Sequence, residues 1–398
     1  MVMDLRRYDT PDWLSDALID ALPCNPPKYL LDLGAGGGSL TAAALRRWKE
    51  TPSLTMDVDV DAHAEIEANF QFKDGIKEHR HVNFDVLEPD IDVAAGIDPG
   101  SVDIILSNPP YKSASWRPEF DKILDRAGLN RQAMMLNEVT LDLIFLAQAL
   151  YLVRPGGHLG LIIPDTLVTG QKMDKVRAEL SNAHAIERVI QLPRGAFSKT
   201  DAQAYILILT RGKPNKEIVL ERVNELGSWS DNVFLPVSRA GERLDHAFHS
   251  FSECLEQQDL VPLSDFGIKV ARGRHSSSQV KKSAGQFFHT TQFPSMVGHK
   301  VHLRGSRNFE SKSRGVLAET GDILLARVDR SLEQKISIVA SGSAIISDCV
   351  FRLRCNPQFR DRIFQGLCSS LGQSQLIARS RGVGARNLSI RELLKIVV

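Results

Sequence analysis

The most chemically informative residues of the chain form a turn, Asn108-Pro109-Pro110-Tyr111, directly after the apolar run 104–107. Proline keeps the residue before it extended and has no backbone N–H, so the turn is rich in acceptors and poor in donors. The Asn108 side-chain oxygen and the Pro109 carbonyl can converge on one planar amino group, and Tyr111 offers a flat face to a ring. The turn therefore indicates alkylation of a weakly nucleophilic amino nitrogen, although a tight turn around a buried asparagine has the same residues.

A glycine-rich loop, 34–39, lies between the apolar segment 28–33 and an alanine-rich helical segment. Glycines let the backbone approach a ligand closely at the N-terminus of a helix. Asp57 and Asp59 lie about 20 positions farther on, where an acidic residue can hold ribose hydroxyls. Asp85 follows the next predicted strand, where it could meet an adenine amino group. A dinucleotide fingerprint requires glycine or alanine where this loop ends in serine, but the loop alone leaves NAD open.

With the cofactor loop ahead of the Asn-Pro-Pro-Tyr turn, the chain resembles the S-adenosylmethionine-dependent N6-adenine DNA methyltransferases of the gamma arrangement. The resemblance covers residues 8–212 and implies S-adenosylmethionine as the cofactor, a flipped adenine in duplex DNA as the substrate, and no metal. The residues that it assigns to the cofactor are Thr10, Pro11, Asp32, Gly34, Gly36, Asp57, Asp85 and Asn108. The residues that it assigns to catalysis are Asn108, Pro109, Pro110 and Tyr111. Phe197, in a later motif, is expected to stack on the target base with Tyr111, although core packing would equally explain it.

Other functions share the Asn-Pro-Pro-Tyr turn. Enzymes that methylate glutamine in release factors resemble only the α/β half of this chain, and ribosomal RNA methylation is a second alternative. N4-cytosine DNA methyltransferases more often have serine where Asn108 stands. A DNA-binding subunit with a degenerate methylase core is disfavoured because every cofactor and catalytic position is filled. The recognition sequence, the number of strands modified and the oligomeric state stay open.

Charge is distributed unevenly along the chain. The net charge of +1 over 398 residues separates into −9 for residues 1–235 and +10 for residues 236–398. Such asymmetry indicates that the C-terminal part meets nucleic acid phosphates. The basic residues expected to bind DNA are Lys269, Arg272, Arg274, Lys281, Lys282, Arg379, Arg381 and Arg386.

Residues 28–211 alternate strand and helix patterns, as a doubly wound α/β sheet requires. The predicted strands are 28–33, 53–58, 80–84, 102–107, 158–163, 187–192 and 203–210. The predicted helices are 11–22, 38–48, 61–72, 134–153 and 171–182. Residues 112–133, which include Trp116 and Arg117, form a polar connector that we expect to act as a lid or as a loop contacting substrate.

We predict three regions. A Rossmann-like, S-adenosylmethionine-binding catalytic domain spans 1–225, a linker spans 226–257, and a smaller strand-rich α+β DNA-recognition domain spans 258–398. The last domain resembles one target-recognition domain of type I restriction specificity subunits. The segments that carry this resemblance are 261–273, 320–327, 347–354 and 387–397. No long helical spacer follows them, which favours a self-contained enzyme over a subunit of a large assembly.

Cysteine usage and hydropathy indicate a cytoplasmic protein. The five cysteines are scattered and form no Cys-x-x-Cys pair, which suits reduced thiols and offers no zinc site. The N-terminus lacks the apolar stretch of a signal peptide, and the apolar segment 141–153 is too short to span a bilayer. Double-stranded DNA is the expected partner, and a separately encoded cognate restriction endonuclease would fit a restriction-modification system.

Overall fold

The chain divides into two compact units, Met1–His246 and Ala247–Val398. The division falls inside the stretch 226–257, and residues 236–246 carry two basic and two acidic side chains, so the units keep the net charges of −9 and +10. The computed structural model describes residues 10–70, 78–129, 138–197, 202–224, 227–255, 260–276, 278–279, 287–304, 315–382 and 385–398.

A nine-stranded sheet forms the centre of the N-terminal unit. Numbered along the chain, the strands of this unit are β1 (Leu30–Leu33), β2 (Ser53–Asp57), β3 (His79–Asn83), β4 (Val102–Ser107), β5 (Ser113–Ser115), β6 (Glu138–Thr140), β7 (Val153–Pro164), β8 (Ala185–Gln191), β9 (Ala204–Thr210), β10 (Glu217–Arg222) and β11 (Val233–Pro236). The order in the sheet is β11-β10-β8-β9-β7-β4-β1-β2-β3, while β5 and β6 pair with each other as a separate hairpin. Strand β1 pairs in parallel with both β2 and β4. The chain order reverses between β1 and β4, and ligands of such sheets bind outside the carboxyl ends of the strands at this point.

Helices cover both faces of this sheet, which confirms the predicted doubly wound α/β architecture. They are Asp12–Ala21, Ser39–Arg47, Ala62–Asn69, Ile91–Ala95, Pro118–Arg126, Leu141–Leu152, Asp165–Thr169 and Asp174–Ala183, with 3-10 turns at Gln171–Met173 and Val237–Arg239. Successive strand residues point to opposite faces. Accordingly, Leu30 and Ile104 join the core that contains Leu14 and Leu40 of the first two helices. Their neighbours in β1 and β4 join the larger core, which contains the buried helix Leu141–Leu152.

Several boundary predictions differ from the structure. Strand β7 begins at Val153 rather than at residue 158, and two other segments form a different type of element from the one predicted. Within the predicted helix 134–153, the described part begins with strand β6, and the helix begins only at Leu141. The connector 112–133 is not an open loop where it is described, because it forms β5 and the helix Pro118–Arg126. Trp116 packs against the larger core, and the apolar face of that helix is buried there. This burial explains why a segment of polar composition is helical, and its role as a lid or as a loop contacting substrate stays a prediction.

The C-terminal unit is strand-rich with helices at its end. Its strands are β12 (Lys269–Arg272), β13 (Phe287–Phe288), β14 (Lys300–His302), β15 (Val316–Glu319), β16 (Ile323–Ala326), β17 (Val328–Asp329), β18 (Ile336–Ser341), β19 (Ser343–Ile346), β20 (Val350–Arg354) and β21 (Arg386–Asn387). They form a sheet of order β12-β20-β16-β18-β14, a second of order β13-β19-β15 and the pair β17-β21. The helices are His246–Leu255, which begins at the division, then Pro357–Cys368, Ser370–Arg379 and Ile390–Leu394, with 3-10 turns at Leu263–Phe266, Thr290–Gln292 and Leu332–Gln334. Val261 and Val398 exchange backbone hydrogen bonds, which ties the two ends of the unit together.

Candidate active site

A cavity opens at the carboxyl ends of β1, β2 and β4, where the strand order reverses. It brings together most of the residues that the sequence assigned to cofactor and catalysis. Those in its wall are Thr10, Gly34, Gly36, Asp57, Asp85, Asn108, Pro109, Pro110, Tyr111 and Phe197. Lining residues that sequence reasoning did not assign are Ala35, Gly37, Ser39, Leu40, Val58, Val86, Leu87, Leu141 and Phe145, together with Asp59, which it considered only as an alternative to Asp57.

The glycine loop follows β1 and turns sharply around backbone positions that disfavour side chains. Gly34, Gly36 and Gly38 have φ of 67°, 53° and 77°. A Cβ on Gly34 would lie 2.8 Å from Cε1 of Phe145, closer than packed carbon atoms approach. The N–H groups of residues 34 and 35 donate to the carbonyl of Met56, so the end of β2 holds the loop. Glycine is therefore required at position 34 both by the left-handed backbone conformation and by the closeness of the Phe145 ring.

Asp57, at the end of β2, links the glycine loop to the acidic wall of the cavity. Its Oδ2 accepts the N–H of Gly36 at 2.7 Å, and its Oδ1 accepts the N–H of Asp59 at 2.8 Å. A carboxylate has about four acceptor positions, so Asp57 keeps capacity for ribose hydroxyls. Asp85 faces the same cavity, and its Oδ1 accepts the N–H of Leu87 at 2.9 Å.

Asp32 and Pro11 do not line the cavity. Asp32 is fully buried in β1, and its Oδ2 accepts a hydrogen bond from the Thr41 hydroxyl at 2.7 Å, while its Oδ1 has no hydrogen-bond partner among the described residues. Burial raises the pKa of Asp32 to about 7, with the Thr41 hydrogen bond opposing and the charge of Asp57 adding to the shift. Pro11 caps the helix Asp12–Ala21 through its carbonyl. Both residues therefore act on the cavity through its supporting elements.

The Asn108–Tyr111 turn leaves β4 through a buried hydroxyl contact. The Ser107 hydroxyl donates to the Leu33 carbonyl at 2.6 Å, which joins the ends of β4 and β1. The Asn108 Nδ2 donates to the Thr10 hydroxyl at 2.9 Å, and the N–H of Lys112 donates to the Pro110 carbonyl at 2.9 Å. The Asn108 oxygen is the end of the amide that Thr10 does not engage.

Two aromatic rings form the apolar wall beside this turn. Tyr111 and Phe197 meet edge to face, with ring centroids 6.0 Å apart and planes at 88°. The Tyr111 hydroxyl is buried without a hydrogen-bond partner among the described residues. Burial, and then the nearby charge of Asp142, raise the pKa of Tyr111 far above its usual value. Tyr111 therefore contributes a ring surface rather than an acid or a base.

A buried glutamine supports the loop that carries Asp85, and sequence reasoning missed it. Nε2 of Gln148 donates to the carbonyls of Val86 at 2.7 Å and Glu88 at 2.8 Å, and its Oε1 accepts from Arg126. Gln148 is fully buried in an otherwise almost wholly apolar helix. A lone amide in such a helix was the available signal, because buried amides need partners.

The basic residues predicted to contact DNA fall into two groups in the C-terminal unit. Lys269, Arg272 and Arg274 lie on or just after the edge strand β12, and the Arg272 side chain is 50% exposed. Arg379 and Arg386 are only 12% and 13% exposed. Lys281 and Lys282 lie outside the described residues.

The second group forms ion pairs inside the unit, and its role in DNA binding stays a prediction. Arg379 pairs with Glu392 at 3.4 Å, and Arg386 pairs with Glu333 at 3.3 Å. Burial opposes ionisation of Glu392, but Lys395, Arg379 and the nearby Arg381 hold its pKa below the usual value. These guanidinium groups are therefore engaged within the unit.

The charge of the cavity favours a cofactor without phosphate groups. Asp57, Asp59 and Asp85 line it, whereas no lysine or arginine is among the described lining residues. A dinucleotide would bring a pyrophosphate against these carboxylates. S-adenosylmethionine carries no phosphate and has a sulfonium and an ammonium group, so the donor set fits it.

Comparisons with known proteins agree with this geometry. The family model "N-6 DNA Methylase" matches residues 7–228. The Mycoplasma pneumoniae type I restriction enzyme MpnII methylase subunit is 25% identical over 190 residues, 45% of this chain and 34% of that protein. The type I restriction enzyme StySPI methylase subunit of Salmonella potsdam is 24% identical over 238 residues, 53% of this chain and 42% of that protein. The chain therefore spans well under half the length of these two relatives.

A solved structure shows the same fold. The type IIG restriction endonuclease BpuSI superposes with a TM-score of 0.54 at 13% identity, covering 98% of this chain and 59% of that protein. Among the described residues, no helix is long and apolar enough to cross a membrane. Since the family match takes in more than half of the chain, including the glycine loop and the Asn108–Tyr111 turn, the protein belongs to the N-6 DNA methylase family.

Proposed function

We propose that this protein transfers a methyl group from S-adenosylmethionine to the N6 amino group of a specific adenine in duplex DNA. The observation that carries the proposal is the convergence of the glycine loop, the acidic wall and the Asn108–Tyr111 turn on one cavity at the switch point of the sheet. The gamma order of these motifs and the basic C-terminal unit favour DNA over the other amino-group substrates.

The cofactor would be held by the acidic half of the cavity. Gly34 and Gly36 give it a close backbone approach, Asp57 accepts ribose hydroxyls, and Asp85 meets the adenine amino group. Thr10 stands at the other end, as expected for a contact with the methionine portion. S-adenosylmethionine supplies an electrophilic methyl group on its sulfonium sulfur, so the protein needs only to position the nucleophile.

The catalytic turn would prepare the target nitrogen. The Asn108 oxygen and the Pro109 carbonyl accept the two amino hydrogens, which keeps electron density on N6. Tyr111 and Phe197 provide aromatic surface for the base. Because N6 is out of reach within stacked DNA, the adenine has to leave the helix first. The nitrogen then forms a bond to the methyl carbon as the carbon–sulfur bond breaks, and the surplus proton passes to solvent.

The C-terminal unit would bind the DNA. Its net charge of +10 and the exposed cations along β12 suit phosphate contacts, which position a protein on the duplex before bases are read. Its sequence resemblance to a type I target-recognition domain supports a role in choosing the site. A cytoplasmic restriction-modification system with a separately encoded endonuclease is the corresponding biological setting.

The test is to express the protein in a host that lacks adenine methylation and to digest the DNA to nucleosides for mass spectrometry. N6-methyladenine should accumulate with the native protein and with Asn215→Ala, a control asparagine outside the cavity. It should be absent with Asn108→Ala, while calorimetry shows that this variant still binds S-adenosylmethionine.

Other outcomes would identify other substrates. Accumulation of N4-methylcytosine instead would identify cytosine, rather than adenine, as the target base. Transfer of tritium from labelled S-adenosylmethionine to ribosomal RNA or to a release factor, with none to DNA, would refute the proposal. Normal turnover by Asn108→Ala would refute the assigned catalytic residue.

A further inference from the structure

We infer that Thr10 is a positioning residue that selects which end of the Asn108 amide faces the substrate, and this inference rests on the function proposed above. The residues are 98 positions apart, yet the Asn108 Nδ2 donates to the Thr10 hydroxyl at 2.9 Å, and both line the cavity. A contact with the cofactor alone would not account for this bond between two protein side chains.

The two ends of an asparagine amide have opposite hydrogen-bonding character. Its oxygen accepts, whereas its NH₂ only donates. A target amino group also donates, so catalysis requires the oxygen to face it. Rotation about the terminal torsion exchanges the two ends at little intrinsic cost, because such torsions are broad and nearly two-fold. A neighbour must therefore hold the amide in the productive orientation.

Thr10 can do this because its hydroxyl accepts the amide N–H and thereby turns the Asn108 oxygen away from itself. Within the turn itself, few groups compete with Thr10 for a hydrogen bond to the Asn108 amide. The two residues that follow it are prolines, which contribute no N–H, and Tyr111 keeps its hydroxyl buried in the apolar wall. Thr10 also retains its own O–H for donation, and donation of that hydrogen to a cofactor carboxylate would leave the oxygen lone pairs for Asn108.

Thr10 can be substituted without removing a helix cap. The carbonyl of Pro11 accepts the N–H groups of Leu14 and Ser15 at the start of the helix Asp12–Ala21, and the Thr10 side chain does not cap this helix. Thr10→Val keeps the shape of the side chain and loses only the hydroxyl, while Thr10→Ser restores the hydroxyl. Thr166→Val is the matched control, because Thr166 is half-buried in the same unit and outside the cavity.

The kinetic experiment separates positioning from cofactor binding. Single-turnover methylation of DNA is measured at saturating S-adenosylmethionine, and the cofactor Kd is measured by calorimetry. Loss of one orienting hydrogen bond should slow methyl transfer by about three- to tenfold in Thr10→Val. The cofactor Kd should also rise in Thr10→Val, because the hydroxyl that donates to the cofactor carboxylate is lost, but a rate measured at saturating cofactor does not depend on that Kd. Thr10→Ser should restore both the native Kd and the native rate. A weaker cofactor Kd with a native rate at saturation would overturn the inference, since Thr10 would then be a cofactor ligand only.

A second measurement stands even if DNA is not the substrate. In protein labelled with ¹⁵N-asparagine, the Asn108 side-chain signals are assigned by their loss in Asn108→Ala. Thr10→Val should shift them and speed their exchange with water, while Thr10→Ser and Thr166→Val should not. Unchanged Asn108 signals in Thr10→Val would overturn the inference whatever the activity assay shows.

Discussion

Asp32→Asn should make the stability of this protein less sensitive to pH, because Asp32 is buried in β1 and one of its oxygens has no hydrogen-bond partner in the described part of the chain. Its pKa rises from 3.8 to about 7 in the folded state, chiefly through burial. In the unfolded chain the carboxyl ionises first as pH rises, so the native protein loses stability between those two values. The difference of about 3 pKa units corresponds to a loss of about 4 kcal/mol by pH 8.

Asparagine preserves the acceptor for Thr41 and cannot ionise. Its new N–H groups lack partners at that position and lower the stability by a roughly constant 1–3 kcal/mol at every pH. The prediction therefore concerns how the stability difference between the two proteins changes with pH, rather than the size of that difference at one pH. The stability of Asp32→Asn relative to the native protein should rise by about 1.4 kcal/mol per pH unit from pH 5 to pH 7 and then level off.

Urea unfolding at pH 5, 6, 7 and 8, followed by far-UV circular dichroism, measures this difference. The same transition is compared between the two proteins, so a contribution from the C-terminal unit cancels. Asp98→Asn, at an exposed position, serves as the control. Parallel pH profiles for Asp32→Asn and the native protein would refute the reasoning, because the buried carboxyl would then ionise as readily in the folded as in the unfolded state.

Three further predictions concern the cofactor loop and the DNA contacts. Gly34→Ala should cost about 1–2 kcal/mol of stability through its left-handed backbone and should weaken cofactor binding; native urea midpoints and a native cofactor Kd would contradict this. Asp57→Asn should raise the cofactor Kd by about tenfold or more in calorimetry, since it removes the negative charge and one of the two side-chain oxygens that accept backbone N–H groups. An unchanged Kd would assign the ribose contact to another acid. Replacing Arg272 and Arg274 by glutamine should flatten the salt dependence of DNA binding by about 0.9 in log–log slope per lost phosphate contact. Arg379→Gln should instead lower the urea midpoint and leave the slope unchanged; the reverse pattern would return the buried arginine to the DNA interface.

The convergence of the candidate site residues on one cavity was largely predictable because a parallel sheet brings the carboxyl ends of neighbouring strands to one edge. Once Gly34, Asp57 and Asn108 are each placed after a strand, their convergence follows from that geometry. The positional signals are short and local: glycines at a turn, an acid after a strand and prolines after an asparagine. The positions of these residues could therefore be predicted from local backbone chemistry.

The behaviour of charged and amide side chains was decided by contacts that no local pattern contains. Composition could not distinguish Arg272, which is half exposed beside Asp348, from Arg379, which is nearly buried against a glutamate on another helix. Nor could it show that Gln148 holds backbone groups 60 residues away. Each of these roles depends on which groups packing brings within about 3 Å, where hydrogen bonds and ion pairs act.

The sequence by itself determined the fold class and the opposite charges of the two parts of the chain, and it predicted the chemistry of the Asn-Pro-Pro-Tyr turn. These properties reside in periodicity, backbone restriction and composition, which are local or additive. Only the tertiary structure decided that Asp32 supports the cavity from within the sheet, that Thr10 meets Asn108, and which arginines are engaged internally. Desolvation and pairing are set by neighbours distant in sequence, so they emerge only when the chain is folded.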